Sequence, residues 1–279
     1  MKKLEEKIFK FLMIGSTMLI LIILLYILYV ILKKGLPSLS WEMISKIPGG
    51  GFYLGKEGGI LNAIMGSLYL IFFSVVISLL ISVPVVMYLN FTLRRKSRLA
   101  AFARLTFDVL FGIPSIVYGA FGFTLMIYFG LQASLLGGII AISLLIIPVM
   151  IRSIDEVAIL IPNDLVEATK SLGATNYETI KVIIRQLLPG ISTAVLLSIG
   201  RGIGDAATVL FTAGYTDSIP TSLAQPTASL PLAIFFQLSS PVEEVQNRAY
   251  AAALVLTIII LTLSFAARYF SRRLSKNKI

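Results

Sequence analysis

The stretch Ser198-Ile199-Gly200-Arg201-Gly202-Ile203-Gly204-Asp205-Ala206-Ala207-Thr208-Val209 places an arginine and an aspartate four residues apart, inside an apolar run from about 190 to 213. A charge at the centre of a bilayer costs about 2.5–3.5 kcal/mol on insertion scales, so ionisable groups in such runs mark pathways or tightly matched pairs. A guanidinium carries five donors in a planar fork and grips an oxyanion through two parallel hydrogen bonds. A carboxylate one helical turn further on can hold that guanidinium while no anion is present. Two readings of Arg201 and Asp205 therefore stand together. One is an internal ion pair that fixes helix packing. The other is a cation on an anion's path, with a competing carboxylate that keeps the affinity low. Arg before Asp is the weaker order for a helical pair, which counts against packing as the sole role. Gly200 and Gly204 form a small-xxx-small pair through which a second helix can approach, and Gly202 adds looseness or room for a ligand.

The rest of the chain excludes most other chemistry. Its 279 residues contain no cysteine and no histidine. Disulfides, thiolate metal sites, His–metal sites and Ser-His triads are thereby removed, and neither a metal nor a cofactor is expected. Apolar residues make up 57% and charged residues 14%, too little charge for the surface of a soluble domain of this size. The net charge of +10 is read as basic residues marking the cytoplasmic face of a membrane protein rather than as a nucleic-acid surface.

Six apolar stretches approach the length that spans a bilayer, near 9–32, 64–90, 107–129, 131–151, 190–213 and 249–270. The first is too long for a signal-peptide core and is followed by Leu-Lys-Lys-Gly-Leu-Pro rather than a cleavage site, so it reads as a retained helix. Lysines near the N-terminus, Arg94 to Arg104, Arg152, Lys170, Lys181, Arg185 and the C-terminal cluster fall on one side; far fewer basic residues fall on the other. Both termini are accordingly expected in the cytoplasm. The fold class is all-α, a polytopic membrane protein of six transmembrane helices, with the third and fourth packed antiparallel across the short 130–132 connection.

The longest internal cytoplasmic segment, 152–189, is patterned as two helices. Asn163 or Asp164 can cap a first helix that Gly173 ends. Thr175-Asn176-Tyr177-Glu178 fits a capping box, opening a second helix expected to stop at Pro189. Ile180, Ile183, Ile184 and Leu187 share one face of it. A solvated loop has no need of Val166, Ala168, Leu172 and that stripe, so a protruding hairpin that docks a partner is expected.

Glu167-Ala168-Thr169, Gly173 and Leu188-Pro189 resemble the E-A-A motif of ABC importer permeases, with Thr169 in the third place. Gly-Gly-Ile-Leu-Asn-Ala-Ile-Met-Gly-Ser at 58–67, Gly-Ile-Pro-Ser-Ile-Val-Tyr-Gly at 112–119 and Gly-Arg-Gly-Ile-Gly-Asp from Gly200 resemble the PstA-type permeases of phosphate ABC importers. The likeness runs from about Gly58 to Arg268. Asn62 stands where that family commonly has Pro, Ser67 where it has Thr, and Asp205 where it has Glu. The resemblance implies a type I ABC importer permease fold and makes Glu167, Ala168 and Gly173 residues that couple to an ATPase. It places Arg201, Asp205 and Ser115 on the substrate path. It also implies a PstC-type second permease, an ATP-binding subunit dimer and an extracytoplasmic phosphate-binding protein, with ATP hydrolysed by the partner and no catalysis here. The PstC-type subunit carries similar motifs. On this reading 1–57 is an N-terminal helix with an external segment, 58–271 the permease core with the 152–189 hairpin, and 272–279 a cytoplasmic tail. A permease for molybdate or sulfate would share the hairpin, whereas a stand-alone ion-coupled transporter would need none.

Other signals are set aside. Gly50-Gly51-Phe52-Tyr53-Leu54-Gly55-Lys56 fits G-x-x-x-x-G-K, but Glu57 follows where a P-loop needs Ser or Thr. Asn90-Phe91-Thr92 fits a glycosylation sequon but sits at the cytoplasmic edge. Pro84, Pro114 and Pro148 are expected to kink their spans. The 226–241 stretch is expected to form a short helix at the outer surface.

Overall fold

The structure is a computed structural model that describes residues 2–49, 57–93 and 97–275. The P-loop-like stretch from Gly50 to Lys56, the basic run Arg94-Arg95-Lys96 and the tail from Lys276 lie outside the described residues. The described residues form eleven α-helices. In chain order they are α1 (Lys2–Ser38), α2 (Trp41–Ser45), α3 (Leu61–Met87, continued by a π turn over Tyr88–Thr92), α4 (Arg98–Gly112), α5 (Ser115–Tyr128) and α6 (Leu135–Ile159). There follow α7 (Asn163–Ser171), α8 (Asn176–Ile203), α9 (Val209–Thr212), α10 (Leu230–Leu238) and α11 (Glu243–Ser275). Five helices are long and apolar enough to cross a membrane, or six if α4 and α5 count as one broken span.

That broken span corrects the expected single helix over 107–129. α4 and α5 meet at 100° across Ile113-Pro114. Pro114 has no N–H to donate, and it pushes the residue before it out of the helical region; Ile113 is extended at φ −69°, ψ 132°. Pro189 does the opposite of what was expected. α8 runs unbroken through it to Ile203, at the cost of one backbone hydrogen bond. Close packing on both sides holds the helix: Leu187 is fully buried, and a Cβ on Gly190 would lie 2.8 Å from Val157. The fifth span also ends earlier than its apolar run, with Gly204 as its C-cap.

α6 is the central helix, and α1 the most peripheral. Leu135, Ile139, Ile142, Leu145 and Ile146 of α6 pack with Leu70 of α3, Tyr118 of α5 and Val209 of α9. Towards the hairpin end, Met150, Ile151 and Ile154 pack with Val86, Ile183 and Leu187. At the other end Met43, Ile60, Leu230 and Ala252 form a third cluster. α5 and α6 are antiparallel as expected: Met126 meets Gly137, and Gly122 meets Ala141. α1 touches α11 near Gly35, where a Cβ would lie 2.7 Å from the Tyr250 carbonyl, and Lys34 sits 4.9 Å over the Tyr250 ring. The long remainder of α1 presents apolar side chains outward, as a lipid-facing helix does.

The short helix expected in 226–241 exists as α10, with its first turn buried and Phe235, Phe236 and Leu238 exposed. Leu230, Pro231, Leu232 and Ala233 are all buried, because a helix turn that is apolar all round has no face to give to water. The Ser229 hydroxyl accepts from Leu232 N–H, and Leu230 N–H donates to Ser67 Oγ on α3 at 2.8 Å, which ties α10 into the bundle.

Candidate functional site

The break between α4 and α5 opens beside the end of α8. The cavity there, about 460 Å³, is lined by Phe111, Gly112, Ile113, Pro114, Ser115, Leu145, Gly200, Arg201, Gly204 and Asp205. It gathers all three residues expected on a substrate path. Ser115 is the first residue of α5, so the positive end of that helix dipole opens on the same space. The Ser115 carbonyl lies 3.2 Å from Thr208 Oγ1.

Arg201 and Asp205 do not form the ion pair that their spacing suggested; neither takes part in any salt bridge among the described residues. The reason is the end of α8. Asp205 lies beyond Gly204, so the i, i+4 geometry of a continuing helix does not apply. The Arg201 guanidinium stacks 5.1 Å over the Phe111 ring and reaches the Phe111 carbonyl with one long hydrogen bond of 3.4 Å. A cation–π contact at a partly exposed site contributes about 0.5–1 kcal/mol. Asp205 instead folds onto its own turn. Its Oδ2 accepts from Thr208 N–H at 3.2 Å and from the Thr208 hydroxyl.

The glycines exchange roles. Gly200 has nothing within 4 Å of where a Cβ would be, and Gly204 only its own helix's Gly200 carbonyl. No helix of this chain packs against either among the described residues; both leave open space in the cavity wall. Gly202, expected to provide looseness, is the packed one. A Cβ there would lie 2.8 Å from Ile71 Cδ1 and 3.1 Å from Ile142 Cγ2.

A second charged site, between α3, α4 and α6, was not anticipated. Arg104 Nε donates to Asp155 Oδ2 at 2.8 Å and its Nη2 to Asp155 Oδ1 at 3.2 Å. Asn90, in the π turn, donates to Asp155 Oδ1 at 2.5 Å and accepts from Arg104 Nη2 at 3.0 Å. Asp155 and Asn90 are buried. The sequon asparagine is thus committed to an internal network. Nearby, Arg152 pairs with Asp108 of α4 at 3.1 Å and with Glu156 at 3.1 Å. The signal was available: Arg104 and Asp108 are one turn apart, opposite Arg152, Asp155 and Glu156. Counting the arginines only as markers of membrane sidedness hid their partners.

The expected hairpin is present. Pro162 takes the N-cap position of α7, in place of Asn163 or Asp164. The helix ends in a two-bond C-terminal motif: Gly173 N–H bonds to the Lys170 carbonyl and Ala174 N–H to the Thr169 carbonyl. Gly173 has φ +80°, a left-handed conformation that glycine enters without steric cost. The capping box forms, with Glu178 accepting from Thr175 N–H at 2.8 Å and Glu178 N–H donating back to Thr175 Oγ1. One face of the hairpin, with Val166 and Ile183, packs on the bundle. The other leaves Glu167, Ala168 and Gly173 exposed, beside Leu172 at 88% and Tyr177 at 75% exposure.

A bundle of membrane-length helices, a charged cavity at a broken span and a hairpin projecting from one end define a multi-pass membrane permease. The chain belongs to the family of binding-protein-dependent transport system inner membrane components, whose model matches residues 82–276. It is 35% identical over 277 residues to the phosphate transport system permease protein PstA of Pasteurella multocida, covering 99% of this chain and 97% of that one. It is 33% identical over 264 residues to the protein of the same name from Haemophilus influenzae, covering 93% and 92%. In fold it is similar to a chain of the MetNI methionine ABC transporter in inward-facing conformations, with a TM-score of 0.63 and 18% identity over 77% of this chain and 95% of that one.

Proposed function

We propose that this chain is one permease subunit of an ATP-driven importer of inorganic phosphate, and that the cavity beside Arg201 is its half of the translocation path. The substrate follows from relatives named as phosphate transport permeases at 35% and 33% identity over nearly the whole chain. The observation that carries the mechanism is α8 itself. It is one helix of 28 residues, about 42 Å long at 1.5 Å per residue. Its first turn belongs to the hairpin, and Arg201 lies in its last. A push on the hairpin therefore reaches the anion site through a rigid element rather than through a loop.

The hairpin end faces the cytoplasm, with both termini on that side. The exposed Glu167, Ala168, Leu172 and Tyr177 dock into an ATP-binding subunit, one of a dimer, which hydrolyses the ATP. A second permease of PstC type completes the path, and an extracytoplasmic binding protein delivers phosphate. Segment 1–57 is a peripheral arm, 58–271 the working core and 272–279 a cytoplasmic tail. In the path, Arg201 exchanges its single long bond to Phe111 for a bidentate grip on the anion. Because the resting contacts are weak but present, the net affinity stays low enough for release. When the ATPase dimer closes, α8 moves with the hairpin and shifts access to the cavity from one side to the other.

The test is reconstitution of the four-component importer in proteoliposomes. Phosphate uptake is expected to require ATP, the second permease and the binding protein, and to survive an excess of sulfate or molybdate. Uptake that proceeds without the ATP-binding subunit would sink the assignment.

A further inference from the structure

We infer that Asp205 is a specificity residue that selects oxyanions still carrying a proton; this rests on the cavity being the phosphate path. Asp205 lines that cavity with Arg201, yet the two are unpaired. Both bonds to its carboxylate fall on one oxygen: Oδ2 takes the Thr208 N–H and hydroxyl. Thr208 is itself buried; its one hydroxyl proton goes to the carboxylate, and its Oγ1 lies 3.2 Å from the Ser115 carbonyl at the α5 N-terminus. The turn Asp205–Thr208 therefore fixes the carboxylate and leaves Oδ1 without a hydrogen-bond partner among the described residues.

An anion in this cavity meets the donors of Arg201 and the α5 N-terminus together with the carboxylate of Asp205. The guanidinium of Arg201 and the α5 N-terminus attract its oxygens. Asp205 Oδ1 repels any oxygen that approaches without a proton, because an ionised carboxylate only accepts. An anion with one O–H places that proton on Oδ1 and turns repulsion into a charge-assisted hydrogen bond. Inorganic phosphate and arsenate retain a proton throughout the physiological pH range; sulfate retains none. A site built to pair with a substrate hydroxyl rejects the analogue that lacks it far more strongly than shape alone allows. A carboxylate beside the one arginine among the described residues that line this cavity is a poor choice for affinity and a good one for this discrimination.

The experiment uses the assembled permease–ATPase complex in lipid nanodiscs without the binding protein, so that the binding protein's own selectivity does not contribute. Thermal unfolding is followed while inorganic phosphate, arsenate or sulfate is titrated at neutral pH. For the native complex, phosphate and arsenate are expected to raise the midpoint at concentrations at least about tenfold below those sulfate needs. Asp205→Asn, which can donate as well as accept, is expected to bring sulfate to within about threefold of phosphate. Asp205→Glu restores the acceptor and is expected to restore the preference, a result that mere turn stability would not produce. An unchanged phosphate-to-sulfate ratio in Asp205→Asn, or equal responses in the native complex, would overturn the inference while leaving the path assignment standing. If no anion shifts the native complex and Arg201→Ala changes nothing, the path assignment falls and this inference falls with it.

Discussion

The molecule holds two Arg–Asp constellations, and they are opposites. Midway along α4, Arg104 meets Asp155 through two hydrogen bonds, with Asn90 bonded to both partners. At the cavity, Arg201 and Asp205 line the same space and do not touch. The first is closed: nothing could bind there without breaking it. The second is open, with a cation held only by a ring face and one long bond. Identical residue types therefore carry different work, and what separates them is saturation. A charge whose partners are all internal holds helices together; a charge left under-coordinated in a cavity is what the proposed anion path requires.

The largest effect should come from the open site. Arg201→Ala is expected to lower ATP-dependent phosphate uptake by about 100-fold or more, the scale of losing a charged electrostatic contact on the reaction path. The amount of complex recovered from the membrane and its melting temperature should stay near native values, because Arg201 contributes only the weak contacts to Phe111. Uptake near the native rate would show that the open constellation is no better suited to transport than the closed one.

The closed site should answer in stability instead. Asp155→Ala leaves Arg104 mostly buried without its carboxylate, a loss of about 3–5 kcal/mol for breaking a buried pair. The side chain of Arg104 is 20% exposed, so the lower end of that range applies. The expected readout is a drop in the complex's melting temperature and yield, while the uptake per assembled complex changes little. The triple variant Asn90→Leu, Arg104→Met, Asp155→Leu should recover most of that stability, since removing a whole network avoids the unpaired charge. A triple variant no more stable than Asp155→Ala would mean that the network does more than neutralise itself.

The contrast was only half legible in the sequence. Arg201 and Asp205 drew attention because they interrupt an apolar run, and the hairpin announced itself through Thr175, Glu178, Gly173 and the isoleucine stripe; each of those local signals is met in the structure. What failed was inference past a helix end or between helices. The Arg201–Asp205 pair assumed a helix continuing past Gly204, and the packing of Gly202 depends on Ile71 and Ile142 of other helices. Pro114 and Pro189 carry the same local signal, yet one breaks a helix and the other does not; the difference lies in the packing around Leu187 and Gly190, which no window of sequence contains. Arg104–Asp155 joins residues 51 apart, beyond the reach of periodicity.

α8 carries Arg201 in its last turn, and the coupling proposed for it can be tested at the hairpin without touching either constellation. Gly173 holds φ +80° at the hairpin turn, where a side chain costs about 1–2 kcal/mol. No atom lies within 4 Å of its missing Cβ, so the penalty is one of backbone conformation alone. Gly173→Pro, whose ring fixes φ near −65°, cannot make this turn at all. It is expected to leave ATP hydrolysis running while transport per ATP falls, with Gly173→Ala showing the same defect more mildly. Unchanged coupling in proteoliposomes would argue that the partner docks elsewhere.

The smallest effect belongs to the pair that most resembles the closed site. Arg152 and Asp108 also join α6 to α4, at 3.1 Å, within four residues of the Arg104–Asp155 contact on each helix. Their side chains are 42% and 47% exposed, against 20% and 3% for Arg104 and Asp155. Asp108→Ala also leaves Arg152 its contact with Glu156. An exposed pair of this kind contributes about 0–1 kcal/mol, so Asp108→Ala should shift the melting temperature barely, and less still at high salt, where screening removes most of what remains. If it destabilises the complex as much as Asp155→Ala does, then joining α4 to α6, rather than burial and saturation, is what gives the closed constellation its strength, and the distinction from the open one would have to be redrawn on geometry alone.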